Sequence, residues 1–273
     1  MRKAKIADRD LPLLGMGTWR LGEGSTDQSK QEIAALQTGL DAGLQIIDTA
    51  EIYGKGASER LVGEAIQPYA HLVSKFAPWH AGAQAIRAAL TGSLQRLGVD
   101  YLDLYLYHWP GETPWAETFA TLRDLKQEGL IKAYGVSNFT VAQLREVRAV
   151  PGGQAVMANE LYYNLEKRAL DRSQKAFQDQ AKITTIGYSP FGSGNGQAIH
   201  LPQAVMKIAQ EKQISAHQLL LAWTMRDGVI SIPKAGTSRH MKENIAAMAV
   251  TFSPSELAVI DHNFPIGNQF EMM

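Results

Sequence analysis

What most limits the folds open to this chain is a rhythm: short apolar runs of strand character alternate with segments whose apolar residues recur every three or four positions. The runs stand at 44–47, 72–73, 102–107, 130–136, 155–158, 184–188 and 229–232, with an eighth at 13–16. Between them Ile33, Leu36 and Leu40 end at Gly43; Ile86, Leu90, Leu94 and Leu97 end at Gly98; Trp115, Phe119, Leu122 and Leu125 end at Gly129. Each glycine stands where a helix stops by turning left-handed. Met241, Ile245 and Met248 continue the series behind Ser238, and Ser253, Pro254 and Glu256 form a capping box for a last helix. Such alternation requires parallel strands joined by right-handed crossovers, which leaves an open doubly wound sheet or a closed eight-stranded barrel. Eight units in 273 residues favour closure, because a (β/α)8 barrel takes roughly 250. The open alternative also lacks its dinucleotide fingerprint, since Arg20 stands where the third glycine after Gly15 and Gly17 must be.

The chain is therefore expected to be one α/β domain over residues 1–273, a (β/α)8 TIM barrel. Ile6 and Leu11 flank a turn at Asp8, Arg9 and Asp10, which predicts an N-terminal β-hairpin across the barrel's N-terminal mouth. Residues 264–273 make a short C-terminal tail. The 27 Lys and Arg residues equal the 27 Asp and Glu residues, so there is no charge surplus to hold nucleic acid. Absence of cysteine removes disulfides and thiolate chemistry and fits a reducing compartment. The start, MRKAKIADRDLP, is charged with no apolar stretch behind it, unlike a secretory signal, and no run approaches the roughly 20 apolar residues of a membrane span. A soluble cytoplasmic protein is expected. The seven histidines show neither H-E-x-x-H nor H-x-H, so no metal site is expected.

In a barrel the chemistry collects at the C-terminal ends of the strands. Reading those ends gives Asp48, Lys75, His108, Ser137 with Asn138, Asn159 with Glu160, Tyr188 with Ser189, and Lys234. For any one of these a helix cap or a soluble lysine is the ordinary explanation. As a set they mark a site, because Asp48, Lys75 and His108 on consecutive strands must share one rim, a few strand spacings of about 4.8 Å apart. Tyr53, five residues past Asp48, can reach the same patch. Beside an ammonium held by a carboxylate, its pKa is expected to fall from about 10 toward working pH, which makes a proton donor. An imidazole alongside can hydrogen-bond a carbonyl oxygen as it gains charge.

The strings Gly15-Met16-Gly17-Thr18-Trp19, Asp48-Thr49-Ala50-Glu51-Ile52-Tyr53-Gly54, Ser74-Lys75, His108-Trp109-Pro110, Gly135-Val136-Ser137-Asn138-Phe139, Tyr188-Ser189-Pro190, Ile232-Pro233-Lys234 and Glu243-Asn244 follow one another along nearly the whole chain. In that order the chain resembles the aldo-keto reductase superfamily, of the prokaryotic carbonyl reductase type. The resemblance implies reduction of aldehydes and ketones with NADPH as cofactor, NADH remaining open, in a monomer acting on a small carbonyl substrate. It implies a catalytic tetrad of Asp48, Tyr53, Lys75 and His108, with hydride passing from the nicotinamide to the carbonyl carbon and Tyr53 giving the proton. It also implies that Ser137, Asn138 and Glu160 hold the carboxamide, that Tyr188 stacks on the nicotinamide ring, and that Trp19, Trp79 and Trp109 line the substrate pocket. Thr18, Trp19, Ser189, Glu243 and Asn244 complete the cofactor set. Packing in the core is an equally good account of the tryptophans from sequence alone. Gly192, Ser193 and Gly194 follow the seventh strand, where backbone N–H groups often hold a phosphate, although a plain loop also explains them. Lys234, Arg239 and the helix start at Ser238 could hold the adenosine phosphate.

Three residues depart from the commonest pattern of that superfamily: Glu160 where glutamine is frequent, Ala235 for serine, and His240 for arginine, with Arg239 one place earlier. A neutral imidazole lacks the permanent forked charge of a guanidinium, so selectivity for the NADPH phosphate is expected to weaken unless Lys234 and Arg239 compensate. The short tail suggests an open pocket. Tyr163 and Lys167 form a Y-x-x-x-K pair, but that chemistry needs the missing Rossmann turn. Asp103, mid-strand, has no partner legible in the sequence. The alternatives are a nicotinamide-binding regulatory protein on the same barrel and a hydrolase using carboxylates such as Asp48 and Glu51.

Overall fold

The structure, a computed structural model, describes residues 2–192 and 198–267. It opens with an antiparallel hairpin of β1 (Lys3–Ile6) and β2 (Arg9–Pro12). The first half of the barrel runs β3 (Met16–Gly17), α1 (Thr26–Asp41), β4 (Ile46–Asp48), α2 (Ala57–Ala65), β5 (His71–Phe76), α3 (Ala83–Leu97), β6 (Leu102–Tyr107) and α4 (Trp115–Gln127). The second half runs β7 (Ile131–Ser137), α5 (Val141–Arg148), β8 (Val156–Tyr162), α6 (Gln174–Gln180), β9 (Thr184–Tyr188), α7 (Gln203–Glu211), α8 (Ala216–Thr224), β10 (Ile230–Ser231), α9 (Ser238–Ala246) and α10 (Pro254–Asn263). From β3 to β10 each strand pairs parallel with the next in chain order. Parallel bridges from Leu14 to Ser231 and from Gly17 to Lys234 join the last strand to the first and close the (β/α)8 barrel.

Closure depends on the glycines of the first strand. A Cβ on Gly17 would lie 2.6 Å from the Ile232 carbonyl oxygen, and one on Gly15 2.9 Å from the Ile232 side chain. Here two backbones approach as only glycine permits. The Gly15-x-Gly17 pair thus serves the seam.

Apolar runs predict β6 and β9 to the residue and cut β5 and β8 short. In β5 the residues beyond Val73 are Ser74, Lys75 and Phe76, all buried. In β8 the buried Asn159 and Glu160 lie inside the strand. Strands whose ends carry chemistry stop looking apolar before they stop being strands. The helix stops at Gly43, Gly98 and Gly129 are as expected, each glycine having positive φ, and Ser253 with Glu256 closes a capping box on α10. Helix α9 is capped by Thr237, whose side chain accepts from the His240 N–H, and not by Ser238. The Ser238 hydroxyl is tied to α1, donating to the Ala34 carbonyl and bonded to the Thr38 hydroxyl. Met248 lies past α9 in a 3-10 turn.

The hairpin turn is Ala7 and Asp8 alone, because Arg9 already pairs with Ile6. Ile6 and Leu11 are fully buried in the main core, and the Thr184 hydroxyl at the start of β9 donates to the Lys5 carbonyl, so the hairpin does sit at the N-terminal ends of the strands. It also supplies the partner that Asp103 needs. Asp103 Oδ2 accepts from the Leu72 N–H at 2.9 Å and Oδ1 from Arg9 at 3.3 Å. The His71 ring lies 3.6 Å away, buried, with neither nitrogen hydrogen-bonded among the described residues. Burial lowers its pKa from 6.5 to about 4, Asp103 opposing and Arg9 assisting. The unfolded chain therefore takes up this proton at higher pH than the native one, and stability falls as pH drops from about 6.5 to about 4, by about 3 kcal/mol at the limit. Urea unfolding of His71→Leu should show a much shallower loss across that window than the wild type; parallel curves would exclude His71 as the cause.

Tyr163 of the Y-x-x-x-K pair donates to Asp171 at 2.7 Å, accepts from Arg226 at 2.5 Å and stacks on the buried Trp223. Its hydroxyl is consumed by packing.

Candidate active site

Strand register explains why these side chains meet. Asp48 pairs with Val73, Lys75 with Leu106, and Tyr107 with Val136. Lys75 lies two residues beyond the partner of Asp48, and His108 two beyond the partner of Lys75. A step of two keeps the face, so all three side chains point inward on a rising stagger around the barrel. Ser137 pairs with Glu160, which brings the second half of the rim to the same level.

Tyr53 reaches this ring through a strained turn. Gly54, Lys55 and Gly56 all have positive φ, and this left-handed path folds the loop after β4 back over the strand ends. The fully buried Lys75 ammonium then lies 2.5 Å from Asp48 Oδ1, 3.2 Å from the Thr49 carbonyl, 3.4 Å from the Tyr53 hydroxyl and 3.4 Å from Glu160 Oε1. His108 meets the Tyr53 ring edge-on, with centroids 5.7 Å apart. Asp48 Oδ2 and Glu160 Oε2, the outer oxygens of the two carboxyls on this ammonium, are buried and have no hydrogen-bond partner among the described residues.

Burial works against the charge of Lys75, but Asp48 and Glu160 outweigh it and hold the group as an ammonium. Burial raises Asp48, opposed by Lys75, and raises Glu160 further, with Asp48 adding to the effect. Burial and Lys75 together push His108 well below the usual histidine range, so its imidazole is neutral. Tyr53 departs from expectation. Its pKa is raised, because burial and the charges of Asp48 and Glu160 outweigh Lys75. The ammonium does act in the expected direction; the loss of water around a buried phenolate is the larger effect.

A cleft of about 670 Å³ opens above this cluster. Thr18, Trp19, Asp48, Tyr53, His108, Trp109, Ser137, Asn138, Glu160, Tyr188, Ser189, Gly192 and Lys234 line it. Lys75 lies beneath its floor. Asn138 is held in a left-handed conformation, its amide donating to the His108 carbonyl and to Ser137 Oγ, its Oδ1 accepting from the Tyr188 hydroxyl at 2.9 Å. None of the three pocket tryptophans is core. Trp79, 64% exposed, stands edge-on to Trp109 at the mouth, and Trp109 packs against His108 at 4.7 Å. Trp79 is outside the cleft lining, as are Ser238, Arg239, Glu243 and Asn244 on α9. Ser193 and Gly194 lie outside the described residues.

Sequence reasoning missed two supports. Ser58 donates to Thr18 at 2.7 Å and bonds Thr49 at 3.1 Å, while Thr18 donates to the Asp48 carbonyl, so a buried hydroxyl chain braces the strand end that carries Asp48. No sequence signal marks Ser58. Glu51, inside the quoted Asp48 to Gly54 string, accepts from the Ala77 N–H at 2.7 Å and meets His80 Nδ1 at 2.8 Å, pinning the turn that carries Trp79. Glu51 is thus committed to the turn that carries Trp79 and takes no part in the cleft lining. Among the described residues no His, Asp and Glu group is arranged to hold a metal ion and no helix is long and apolar enough to cross a membrane.

The model of the Aldo/keto reductase family matches residues 13–263. The chain belongs to that family. The reductase is 41% identical over 264 residues to methylglyoxal reductase YeaE of Escherichia coli, covering 94% of this chain and 93% of the relative. Its backbone matches an aldo/keto reductase from Klebsiella pneumoniae crystallised with NADP and acetate at a TM-score of 0.95, 35% identity and 100% and 99% coverage of the two chains. A second Klebsiella pneumoniae aldo-keto reductase, in complex with NADPH, matches at 0.93 with 36% identity and full coverage of both. Membership makes the chain an NAD(P)H-dependent oxidoreductase acting on carbonyl groups.

Proposed function

We propose that this reductase is a single-barrel, NADPH-dependent enzyme that converts small aldehydes and ketones to alcohols, with Tyr53 as proton donor. The observation that carries the reading is the Tyr53 hydroxyl on the cleft wall, 3.4 Å from a fully buried ammonium and beside a neutral imidazole. The residues opposite fit a nicotinamide: Ser137, Asn138 and Glu160 present hydroxyl, amide and carboxyl groups along one side of the cleft, and Tyr188 is held by Asn138 as a flat backing ring. The Klebsiella pneumoniae relatives bound to NADP and NADPH support that cofactor. When bound, the cofactor supplies hydride to the carbonyl carbon.

The chain's own groups handle the oxygen. His108 lies beside Tyr53 and orients the carbonyl oxygen toward the phenol. As charge develops there, the O–H bond of Tyr53 breaks toward it and leaves a phenolate. The Lys75 ammonium stabilises that phenolate, and Asp48 keeps Lys75 in place and charged. The raised pKa of Tyr53 suits the reductive direction, because the phenol stays protonated at neutral pH. His108 already being neutral, kcat/KM for reduction should show no break near pH 6.5; a clear acid limb there would mean that His108 titrates as a solvated group.

Methylglyoxal is the first substrate to test, given the name of the 41% identical relative. Steady loss of NADPH absorbance that requires both aldehyde and protein supports the reading, whereas cofactor binding with no oxidation across a broad aldehyde panel favours the regulatory alternative. Asp48, Tyr53 and His108 on the cleft lining, with Lys75 beneath them, argue for turnover. All four groups come from one chain, which suits a monomer, and the reducing cytoplasm suits both the cofactor and a chain without cysteine. At the adenosine end Lys234 and Arg239 stand in for the arginine that His240 replaces. Arg239→Ala should raise KM for NADPH about tenfold and leave NADH unchanged, as expected for one charge-assisted phosphate contact; equal effects on both cofactors would place Arg239 elsewhere.

A further inference from the structure

Glu160 does more here than a glutamine in its place can do. It reaches Lys75 Nζ at 3.4 Å, the same ammonium that Asp48 Oδ1 meets at 2.5 Å. Among the described residues Asp48 Oδ2 and Glu160 Oε2 find no N–H or O–H donor elsewhere. Two carboxyls and one ammonium thus meet at the floor of the cleft, where Asp48, Lys75 and Glu160 are all buried. Two carboxylates against one cation would leave a net negative charge unsolvated. One hydrogen shared between the carboxyls removes that charge and satisfies both orphan oxygens.

We infer that Glu160 is a positioning residue for the proton donor: as a carboxylic acid it shares a hydrogen with Asp48 and braces Lys75 beneath Tyr53, and its ionisation at alkaline pH slows reduction. The groups facing it are Asp48 on β4, Tyr53 in the turn that follows, Lys75 on β5, His108 after β6, Ser137 and Asn138 at the end of β7 and Tyr188 on β9. Of these Lys75 is held charged, and His108 and Tyr53 are neutral at pH 7, so Glu160 and Asp48 share the proton that is lost first as pH rises. A new negative charge a few ångströms from Tyr53 disfavours the phenolate that proton donation must form, and at an effective dielectric constant of 20 that slows the step by about tenfold or more. An amide at this position also hydrogen-bonds Asp48 but never acquires the charge.

The inference rests on the reading of Tyr53 as proton donor, and Glu160→Gln tests it by two routes. In kinetics with saturating NADPH and aldehyde between pH 6 and 10, wild-type kcat should fall about tenfold on the alkaline side, while the Glu160→Gln profile, scaled to its own plateau, stays level. Superimposable profiles, with only KM for NADPH altered, would reduce Glu160 to a carboxamide contact and overturn the inference, as would a limb of opposite sign. The second route needs neither cofactor nor turnover. Infrared spectra of the free protein at pH 7 should contain the carbonyl stretch of a buried protonated carboxyl that Glu160→Gln removes. Its absence from the wild type overturns the inference whatever the kinetics show. If the band is present but Tyr53→Phe is fully active, the fault lies with the proton-donor reading.

Discussion

Tyr53→Phe should lower turnover by about 10² or more, the scale of a lost general acid, and leave NADPH binding, followed by fluorescence titration, within a few-fold of wild type. The substitution deletes one oxygen and keeps the ring, so the edge-on contact with His108 survives. Lys75 keeps its bonds to Asp48, the Thr49 carbonyl and Glu160. The deleted hydroxyl takes with it one long bond from Lys75, at 3.4 Å, and the melting temperature should hardly move. Activity within a few-fold of wild type would remove Tyr53 from its role and leave the tetrad without a donor.

Lys75→Met should cost both function and stability. Turnover falls by about 10² or more because a phenolate forming at Tyr53 no longer has a cation beside it. The fold loses about 3 kcal/mol, the lower end for removing one partner from a buried ion pair, since Asp48 and Glu160 are left facing each other with no cation between them. Denaturant unfolding of the two variants separates the cases: Tyr53→Phe unfolds with the wild type, and Lys75→Met unfolds well before it. If Lys75→Met were as stable as the wild type, Asp48 and Glu160 would have to be carrying their charge by some means other than Lys75.

The contrast between the variants reflects what could be foreseen from residues alone. Asp48, Lys75 and His108 were legible because each follows or ends an apolar run, and Tyr53 because it stands five residues beyond Asp48. Glu160 was legible as a position on the rim, but its turn toward Lys75 and Asp48 was not, since contacts across a barrel depend on stagger between strands that sequence spacing does not encode. The direction of the Tyr53 shift was misjudged for the same reason. Sequence shows which charges can be neighbours, whereas burial, the larger influence on that phenol, is a property of everything packed around it. Ser58 and the Glu51 to His80 clasp left no trace in periodicity, and Ser238, a reasonable helix cap on paper, spends its hydroxyl on α1 because α9 packs there.

By itself the chain determined its architecture: eight alternating units force parallel strands, glycines at 43, 98 and 129 stop three of the helices, and glycines at 15 and 17 allow the last strand to approach the first. These are local properties, repeated, and repetition makes them readable. Only the tertiary structure decided the protonation of the site. Solvation and the distances between charges held on different strands arise when the barrel closes, and they set Lys75 as the cation, His108 as neutral and Glu160 above the usual carboxylate range.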